Sequence, residues 1–357
     1  LIYYQRSKMK EIFNSFSRVL VTGGAGFIGN ALVRNLLKKD NIKLCNIDKL
    51  GYASNTNSIN NFIEQNKLDK SNKYTFHKLD LIDKLKLNQL IEDFKPELII
   101  HLAAESHVDN SINNADEFIN SNIIGTYNLL ESTRKYWESL PSFKKNSFRF
   151  HHVSTDEVFG TAKANEKFNE NSIYDPRSPY SASKAASDHL VNSWHNTYGL
   201  PTIVTNCSNN YGPWQFPEKF IPVIIKNAIN LNKIPIYGKG TNIRDWLFVD
   251  DHVEAILLTA TKGKNGSRYC IGGNNELENI QLVLEICKIL DSEIPNNFKY
   301  SDLISFVKDR PGHDARYAID STKIKNELGW VPKVNFKEGL KLTVKWYLKN
   351  RSWFDVL

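Results

Sequence analysis

The stretch RVLVTGGAGFIGNALVRNLLKKDNIKLCNIDKL, residues 18–50, decides the fold. Arg18–Thr22 is a short apolar run with the length of a buried strand, and Phe27–Lys38 repeats apolar residues at helical spacing. Lys43–Ile47 is a second strand-like run. Between the first strand and the helix stand Gly23, Gly24, Gly26 and Gly29, which satisfy both Gly24-x-Gly26-x-x-Gly29 and Gly23-x-x-Gly26-x-x-Gly29. Glycines let the backbone turn tightly and approach a pyrophosphate, while the helix N-terminus offers free N–H groups and the positive end of its dipole. Asp48 closes the second strand 19 residues after Gly29, where a carboxylate takes both hydroxyls of a ribose. A carboxylate there repels a 2′-phosphate, so the expected cofactor is NAD rather than NADP, although Lys49 sets a cation beside it.

Further strands read at Tyr74–Leu79, Leu98–Leu102, Phe148–Ser154 and Thr202–Asn206, with helices over Leu85–Phe94, Asp116–Tyr136 and Pro179–Tyr198. Strands separated by helices mean βαβ crossovers, hence an α/β fold with a Rossmann-type, doubly wound parallel sheet. After residue 206 the rhythm breaks at Pro213, Pro217, Pro222, Pro235, Gly238 and Gly240. The expected organisation is an N-terminal extension over 1–17 and an NAD-binding domain over 18–206, joined by parts of 241–264. Residues 207–357 are expected to form mainly a smaller α/β lobe that binds substrate. Open α/β sheets bind ligands beyond the carboxyl ends of their strands, so the cleft belongs between the lobes.

Composition narrows the class. A chain of 357 residues, 41% hydrophobic and 24% charged, is neither disordered nor fibrous, and it has no run of 18 apolar residues to span a membrane. The net charge of +7 is spread along the chain, with nothing tighter than a pair such as Lys144-Lys145, so a nucleic-acid groove is not expected. Cys45, Cys207, Cys270 and Cys287 lie far apart and read as buried thiols in a reducing compartment. The nine histidines show no HExxH spacing, and no metal is expected. The nearest candidate, Asp250-Asp251-His252, reads as a helix N-cap. Residues 1–17, LIYYQRSKMKEIFNSFS, have no apolar core segment and no small-residue cleavage site, so the protein is expected in the cytoplasm.

Tyr180-Ser-Ala-Ser-Lys184 places a phenol and an ammonium on one helical face. A neighbouring Lys⁺, with a nicotinamide's positive charge, would lower a tyrosine pKa from about 10 towards neutrality. The tyrosinate could then take a hydroxyl proton while hydride leaves the same carbon. Ser154-Thr155-Asp156-Glu157 ends another strand and faces the same cleft. Two adjacent carboxyl groups are surplus to hydride transfer alone. They suit a reaction that also removes a proton and expels a leaving group, the bland alternative being a solvated acidic pair. Asp80-Leu81 and Leu102-Ala103-Ala104-Glu105-Ser106 end two more strands, where small alanines would admit a flat ring.

At this point the sequence resembles the extended short-chain dehydrogenase/reductases, and among them the dTDP-glucose 4,6-dehydratases. The segments that carry the resemblance are TGGAGFIG (22–29), HLAAESHVD (101–109), STDEVFG (154–160), SPYSASKAASDHLV (178–191), YGLPTIVTNCSNNYGP (198–213), FPEKFIP (216–222), PIYGKGTNIRDWLFVDDH (235–252), YCIGGNNE (269–276) and DRPGHDARYAIDSTKI (309–324). Together they cover about residues 18–350. The resemblance implies a closed redox cycle on a dTDP- or UDP-glucose. Tyr180 with Lys184 would deprotonate the C4 hydroxyl as hydride passes to NAD, Thr155 would bind the C4 oxygen, and Glu157 would remove the C5 proton. Protonated Asp156 would then give its proton to the departing C6 hydroxyl, and hydride would return to C6, leaving a 4-keto-6-deoxy sugar of the kind that feeds rhamnose synthesis.

It extends the cofactor site to Phe27, Ile28, Leu50, Ser106, Ser121 and Asn210. Around the sugar nucleotide it sets Ser106, Glu157, Asn209, Lys219, Phe220, Ile221, Pro222, Pro235, Ile236, Tyr237, Arg244, Asn279, Arg310 and His313. Arg244 and Arg310 suit a diphosphate, because a guanidinium fork binds phosphate bidentately, though Arg244 could instead pair with Asp245 and His313 could lie on the surface. Trp214 and Trp246 read as core or rim packing. The connection from Gly160 to Pro179 looks shorter than in many relatives, and Gly51 and Ser54 depart from their pattern, away from the chemical residues. The helices over Asp116–Tyr136 and Pro179–Tyr198 carry apolar residues beyond one face, and relatives build a homodimer on this pair. The alternatives are a nucleotide-sugar 4-epimerase or decarboxylase, which would not need Asp156 and Glu157, and a redox-sensing binding protein, which would have lost Tyr180 or Lys184.

Overall fold

The computed structural model describes residues 16–68, 73–309 and 313–356. Strands run in chain order as β1 (Arg18–Thr22), β2 (Lys43–Asp48), β3 (Tyr74–Lys78), β4 (Leu98–His101), β5 (Arg149–Thr155) and β6 (Thr202–Cys207). After them come β7 (Asn209–Tyr211), β8 (Ile234–Tyr237), β9 (Ile243–Phe248) and β10 (Arg268–Ile271). The first six and β10 form one sheet in the order β10-β6-β5-β4-β1-β2-β3, every pairing parallel. The order reverses between β1 and β4, which opens a crevice at the carboxyl ends of those strands. β10 lies past the 241–264 stretch expected to rejoin the first domain, so the returning segment runs on to Ile271.

Side-chain alternation along β1 explains the layering. Val19 and Val21 pack with Leu32 and Leu36 of α1 (Phe27–Leu37), while Leu20 faces the other way. Helix α2 (Asn57–Gln65) joins α1 on the first face through Ile59 and Ile63. The Leu20 face is covered by α3 (Lys84–Phe94), α4 (Gly125–Ser139) and α5 (Pro179–Tyr198), through Leu87, Ile91, Leu129, Leu130 and Val191. Each such fully buried aliphatic side chain contributes about 1.5–3 kcal/mol, and Leu36→Ala should cost about 2–5 kcal/mol. Helix α5 starts with Ser178 in a reciprocal capping box with Ser181, has Pro179 in its first turn, and stops at Gly199 in the left-handed conformation.

The second lobe is built on α6 (Phe220–Ile229), β11 (Glu276–Glu278), α8 (Asn279–Glu293) and α10 (Phe336–Lys349), with α7 (Val249–Lys262) and α9 (Thr322–Leu328) on the side of the main sheet. Strands β11, β9 and β7 make one small sheet, and β12 (Ile304–Val307) pairs with β8 in another. Its core gathers Ile224, Trp246, Leu282, Ile286, Leu340 and Tyr347. Trp214 stands over Trp346 and Trp353, so both tryptophans pack as expected.

Three expectations need correcting. The helix over Asp116–Tyr136 is interrupted: a turn at Asp116–Phe118 passes into a π-helical segment, Ile119–Ile124, before α4. Gly125, at that junction, sits against Leu81, where an added Cβ would lie 3.3 Å away. Asp250-Asp251-His252 does not cap a helix. Strand β9 runs straight into α7 with Phe248 at the cap position, and the three lie in the first turn. There Asp251 accepts from the Lys333 and Val334 N–H groups, and His252 Nδ1 is 2.9 Å from Asn210 Oδ1. Residues 16 and 17 are not an extension, because Phe16 is buried in the core and the Ser17 N–H donates to Glu97 at 2.6 Å. The rest of the expected extension lies outside the described residues. All four cysteines are free and buried, as expected. Among the described residues, no helix is long and apolar enough to cross a membrane.

Candidate active site

The carboxyl ends of β1, β2, β4, β5 and β6 converge on one cleft of about 330 Å³. Its glycine turn follows the spacing Gly23-x-x-Gly26-x-x-Gly29, since these three line the cleft and Gly24 faces Asn46 instead. Gly23 has φ +74°, and a Cβ there would lie 2.5 Å from the Ala103 nitrogen. Gly29 packs on the Gly23 carbonyl with no room for a Cβ. Gly26 caps α1 without a side chain, which leaves the helix's positive end open to the cleft. Asp48 is buried and accepts from the Ala25 N–H at 3.0 Å, the Leu50 N–H at 2.8 Å and the Ser54 hydroxyl at 2.9 Å. Ser54, a departure expected to be remote from the chemistry, therefore orients the ribose candidate. Lys49 lies 2.7 Å from Glu105 and donates to Ser121 Oγ at 2.8 Å, so acidic neighbours engage the cation that blurs the choice against NADP.

Of the expected cofactor residues, Phe27, Ile28, Asp80, Leu81, Leu102, Ala103, Ala104, Ser106, Tyr180, Lys184 and Asn210 line the same cleft with those above. Leu50 does not. It is more than one-third exposed at φ 58° and contributes its backbone N–H.

Thr155, Asp156 and Glu157 follow at the end of β5 and also line the cleft. The Thr155 hydroxyl donates to Asp156 Oδ1 at 3.3 Å and accepts from the Glu157 N–H at 3.2 Å. Asp156 is 1% exposed, and its Oδ2 has no hydrogen-bond partner among the described residues. Burial, then the charges of Glu157 and Asp245, push its pKa well above the usual carboxylate range. A carboxyl shifted in this direction keeps its proton to higher pH than an ordinary one, which suits it to donate. Tyr180 and Lys184 present side by side from α5, and the Lys184 ammonium donates to the Val153 carbonyl at 3.0 Å. The chain's own residues do not lower the phenol as expected. Burial, then Glu157, push the Tyr180 pKa well up. Burial lowers that of Lys184, with Asp188 opposing it.

The expected substrate residues divide. Ser106, Asn209 and Lys219 line the cleft, and Lys219 Nζ is 3.4 Å from Ser106 Oγ. Phe220, Ile221, Pro222, Pro235, Ile236, Tyr237, Arg244, Asn279 and His313 belong to the second lobe and lie outside that lining. Ile221 and Ile236 are buried there as core, and Phe220 stacks on Trp246. Arg244 donates to the Ile243 and Asp314 carbonyls and lies 4.2 Å from the Tyr317 ring centroid. Asp245 turns instead to the Gly273 and Asn275 N–H groups. His313 is half-buried and sits 2.7 Å from Asp309. Asn209 Oδ1 and Asn279 Oδ1 are buried without hydrogen-bond partners among the described residues, as polar atoms reserved for a ligand would be. Arg310 lies outside the described residues.

Sequence reasoning missed the outer rim. Tyr52, Gln215 and Phe216 line the cleft, Tyr52 donates to Glu218 at 2.9 Å, and its ring meets Phe216 edge-on. The punctuation around Pro213 and Pro217, which marks a connection returning over the sheet, was the available signal.

Comparison with known proteins agrees with this geometry. The family model described as GDP-mannose 4,6 dehydratase matches residues 20–343. A dTDP-glucose 4,6-dehydratase of Salmonella typhimurium is 51% identical over 347 residues, covering 95% of this chain and 94% of that protein. The crystal structure of the dTDP-glucose 4,6-dehydratase of Bacillus anthracis in complex with NAD superposes with a TM-score of 0.82 at 40% identity, over 95% of this chain and 98% of that one. For the Streptomyces venezuelae enzyme of the same name, also with NAD bound, the TM-score is 0.84 at 39% identity, over 95% and 99%.

Proposed function

The chain belongs to the GDP-mannose 4,6 dehydratase family, and from that premise we propose that it is a dTDP-glucose 4,6-dehydratase, an NAD-dependent hydro-lyase. The substrate would be dTDP-glucose, with UDP-glucose as the competing nucleotide, and the products a 4-keto-6-deoxy-glucose nucleotide and water. The carrying observation is the buried Asp156 carboxyl beside Glu157, held at the same cleft as Tyr180 and Lys184. A 4-epimerase or decarboxylase has no use for that pair.

The glycine turn, the open end of α1 and the Asp48 carboxylate fit a dinucleotide, since Gly23 and Gly29 let the turn close on the Ala103 backbone and the Gly23 carbonyl where no Cβ fits, and Gly26 leaves the N-terminus of α1 bare for a pyrophosphate. NAD, when bound, would take hydride from C4 and return it at C6, and its positive ring would supply the charge that the chain's own residues do not give the Tyr180 phenol. Tyr180 takes the C4 hydroxyl proton, and Thr155 binds the same oxygen. Glu157 removes the C5 proton, made acidic by the neighbouring ketone, and gives a proton back to C5 once C6 has been reduced. Asp156, kept protonated by burial, gives its proton to the C6 hydroxyl, which leaves as water. The low exposure of Asp156, Tyr180 and Lys184 keeps bulk water from the reacting carbons.

We also place the protein in the cytoplasm, which suits four free buried thiols, and infer a homodimer, for which the exposed Ile119, Ile124, Tyr127 and Tyr198 offer an apolar face. The functional test is Glu157→Gln. It should let the first oxidation proceed and accumulate the 4-keto-glucose nucleotide, seen by mass spectrometry after borodeuteride trapping. Full turnover by this variant would overturn the assignment and favour an epimerase.

A further inference from the structure

Beneath the cleft floor lies a carboxylate that the reaction does not use. Asp188 stands on α5 four residues after Lys184, on the same helical face, and is fully buried. Its Oδ2 accepts from the Tyr174 hydroxyl at 2.6 Å and from Asn206 Nδ2 at 3.1 Å, and its Oδ1 lies 3.1 Å from His152 Nε2. The same Asn206 nitrogen donates to the Thr155 carbonyl at 2.9 Å. One carboxylate thus ties the helix of Tyr180 and Lys184 to β5, β6 and the loop that carries Tyr174.

The charges around it have a consistent sign. Lys184 is 4% exposed, and its ammonium donates to the Val153 carbonyl. The titratable groups whose charge bears on it are Asp188, one turn along its own helix and acting through space rather than in a direct ion pair, His152 on β5, His101 on β4 and Cys207 on β6. Burial pushes His152 down to about 4, takes His101 well below its ordinary value and raises the Cys207 thiol, so all three are neutral at pH 7. Burial also raises the Tyr174 phenol, which stays a donor. Asp188 is the anion of this set: burial opposes its charge, but the His152 and Tyr174 hydrogen bonds and the Lys184 charge hold it below the usual carboxylate range. An ammonium that deep loses its proton unless a nearby anion opposes the desolvation.

We propose that Asp188 is a positioning residue, whose carboxylate keeps Lys184 an ammonium beside Tyr180 and, through Asn206, fixes the main chain at Thr155. The inference deepens the reaction assigned above and rests on it for its kinetic arm. Asp188→Asn keeps the size and can keep the hydrogen bonds while deleting the charge. In NAD-loaded protein, Lys184 is labelled with acetic anhydride across pH and quantified by peptide mass spectrometry. The midpoint should fall by about one pH unit or more in the variant. The alkaline limb of the kcat profile for dTDP-glucose should move down with it, activity returning as the pH is lowered, while KM changes by less than about threefold. An unmoved midpoint, with activity lost equally at every pH, would overturn the proposal and leave Asp188 a packing residue. If the single variant does not fold, Asp188→Asn combined with Lys184→Met leaves no unpaired buried charge. The double variant should then show the residual rate of Lys184→Met alone, and a much lower rate would contradict action through Lys184. Failure of the wild-type protein to release water from dTDP-glucose would sink the functional reading, whereas the labelling midpoint would still decide on Asp188.

Discussion

The floor and the rim of the cleft carry similar residue types to different ends. On the floor, Asp156, Tyr180, Lys184 and Asp188 are each less than 10% exposed, and burial is the first cause of every shift in their acidity except that of Asp188, where it is outweighed. On the rim, Lys49, Glu105, Glu218 and Lys219 pair with side chains 15–28% exposed, partly in contact with water. Floor groups hang from strand ends and one long capped helix, so their geometry is set by the sheet. Rim groups hang from connections. Chemistry needs the low dielectric and the fixed positions, while half-solvated ion pairs contribute little energy and suit a margin that must admit a ligand.

The comparison breaks first if floor residues prove dispensable. Asp156→Asn and Tyr180→Phe should each lower kcat for dTDP-glucose by about 10²–10⁴-fold with the protein still folded and holding NAD, as read by steady-state assay and by cofactor release. Because burial and Glu157 hold Asp156 protonated, dehydration should also fail on the alkaline side as that carboxyl ionises, and Asp156→Asn should abolish that limb.

Stability sharpens the contrast next. His101, His151, His152 and His252 are buried neutral, with His151 and His252 pushed down to about 3 and His152 to about 4, in each case first by burial. Unfolded histidine takes a proton near pH 6.5. The folded-state values are depressed, so this stability is complete above about pH 6.5 and is lost as the pH falls towards 4 and 3. Each group adds a slope of up to about 1.4 kcal/mol per pH unit. Denaturant melts at pH 7.5 and 5 should differ by several-fold more than rim ion pairs could account for, and equal melts would contradict the buried-neutral reading.

Gly23→Ala comes third. The positive φ and the Ala103 backbone leave no place for a methyl, so a loss of about 1–3 kcal/mol is expected together with lower NAD content in the purified protein. The smallest effect belongs to the rim. Tyr52→Phe removes one hydroxyl from Glu218 and should change stability by less than about 1 kcal/mol and kcat by less than about twofold, with any larger change confined to KM.

What the sequence made legible follows the same division. The glycine turn, Asp48, Tyr180 with Lys184, and the acidic pair each sit at a strand end or on a helix whose local pattern announces it, so short-range periodicity and spacing reach them. Ser178 and Gly199 even mark the limits of α5. Asp188 and Asn206 were passed over because a buried polar side chain inside a regular element has no local signature, its meaning arising only when four elements meet. The π-helical segment at Ile119–Ile124 was read as plain helix, since no proline interrupts residues 116–136 and nothing in side-chain type or spacing marks a local change of helical pitch. Tyr52 and Gln215 escaped because connections carry no period. Arg244 was matched to phosphate on side-chain chemistry, and nothing in the sequence signals that the fold also holds it through the Ile243 and Asp314 carbonyls and the Tyr317 ring.

The central claim, that the buried carboxyl pair adds elimination to the redox chemistry of the floor, is tested most directly by incubating the NAD-loaded protein with dTDP-glucose and, separately, UDP-glucose, and following the sugar nucleotide by mass spectrometry. The account predicts loss of one water, faster from dTDP-glucose, with no net consumption of NAD. An isomer of unchanged mass, epimerised at C4, would contradict it and return Asp156 and Glu157 to the status of a strand-end acidic pair.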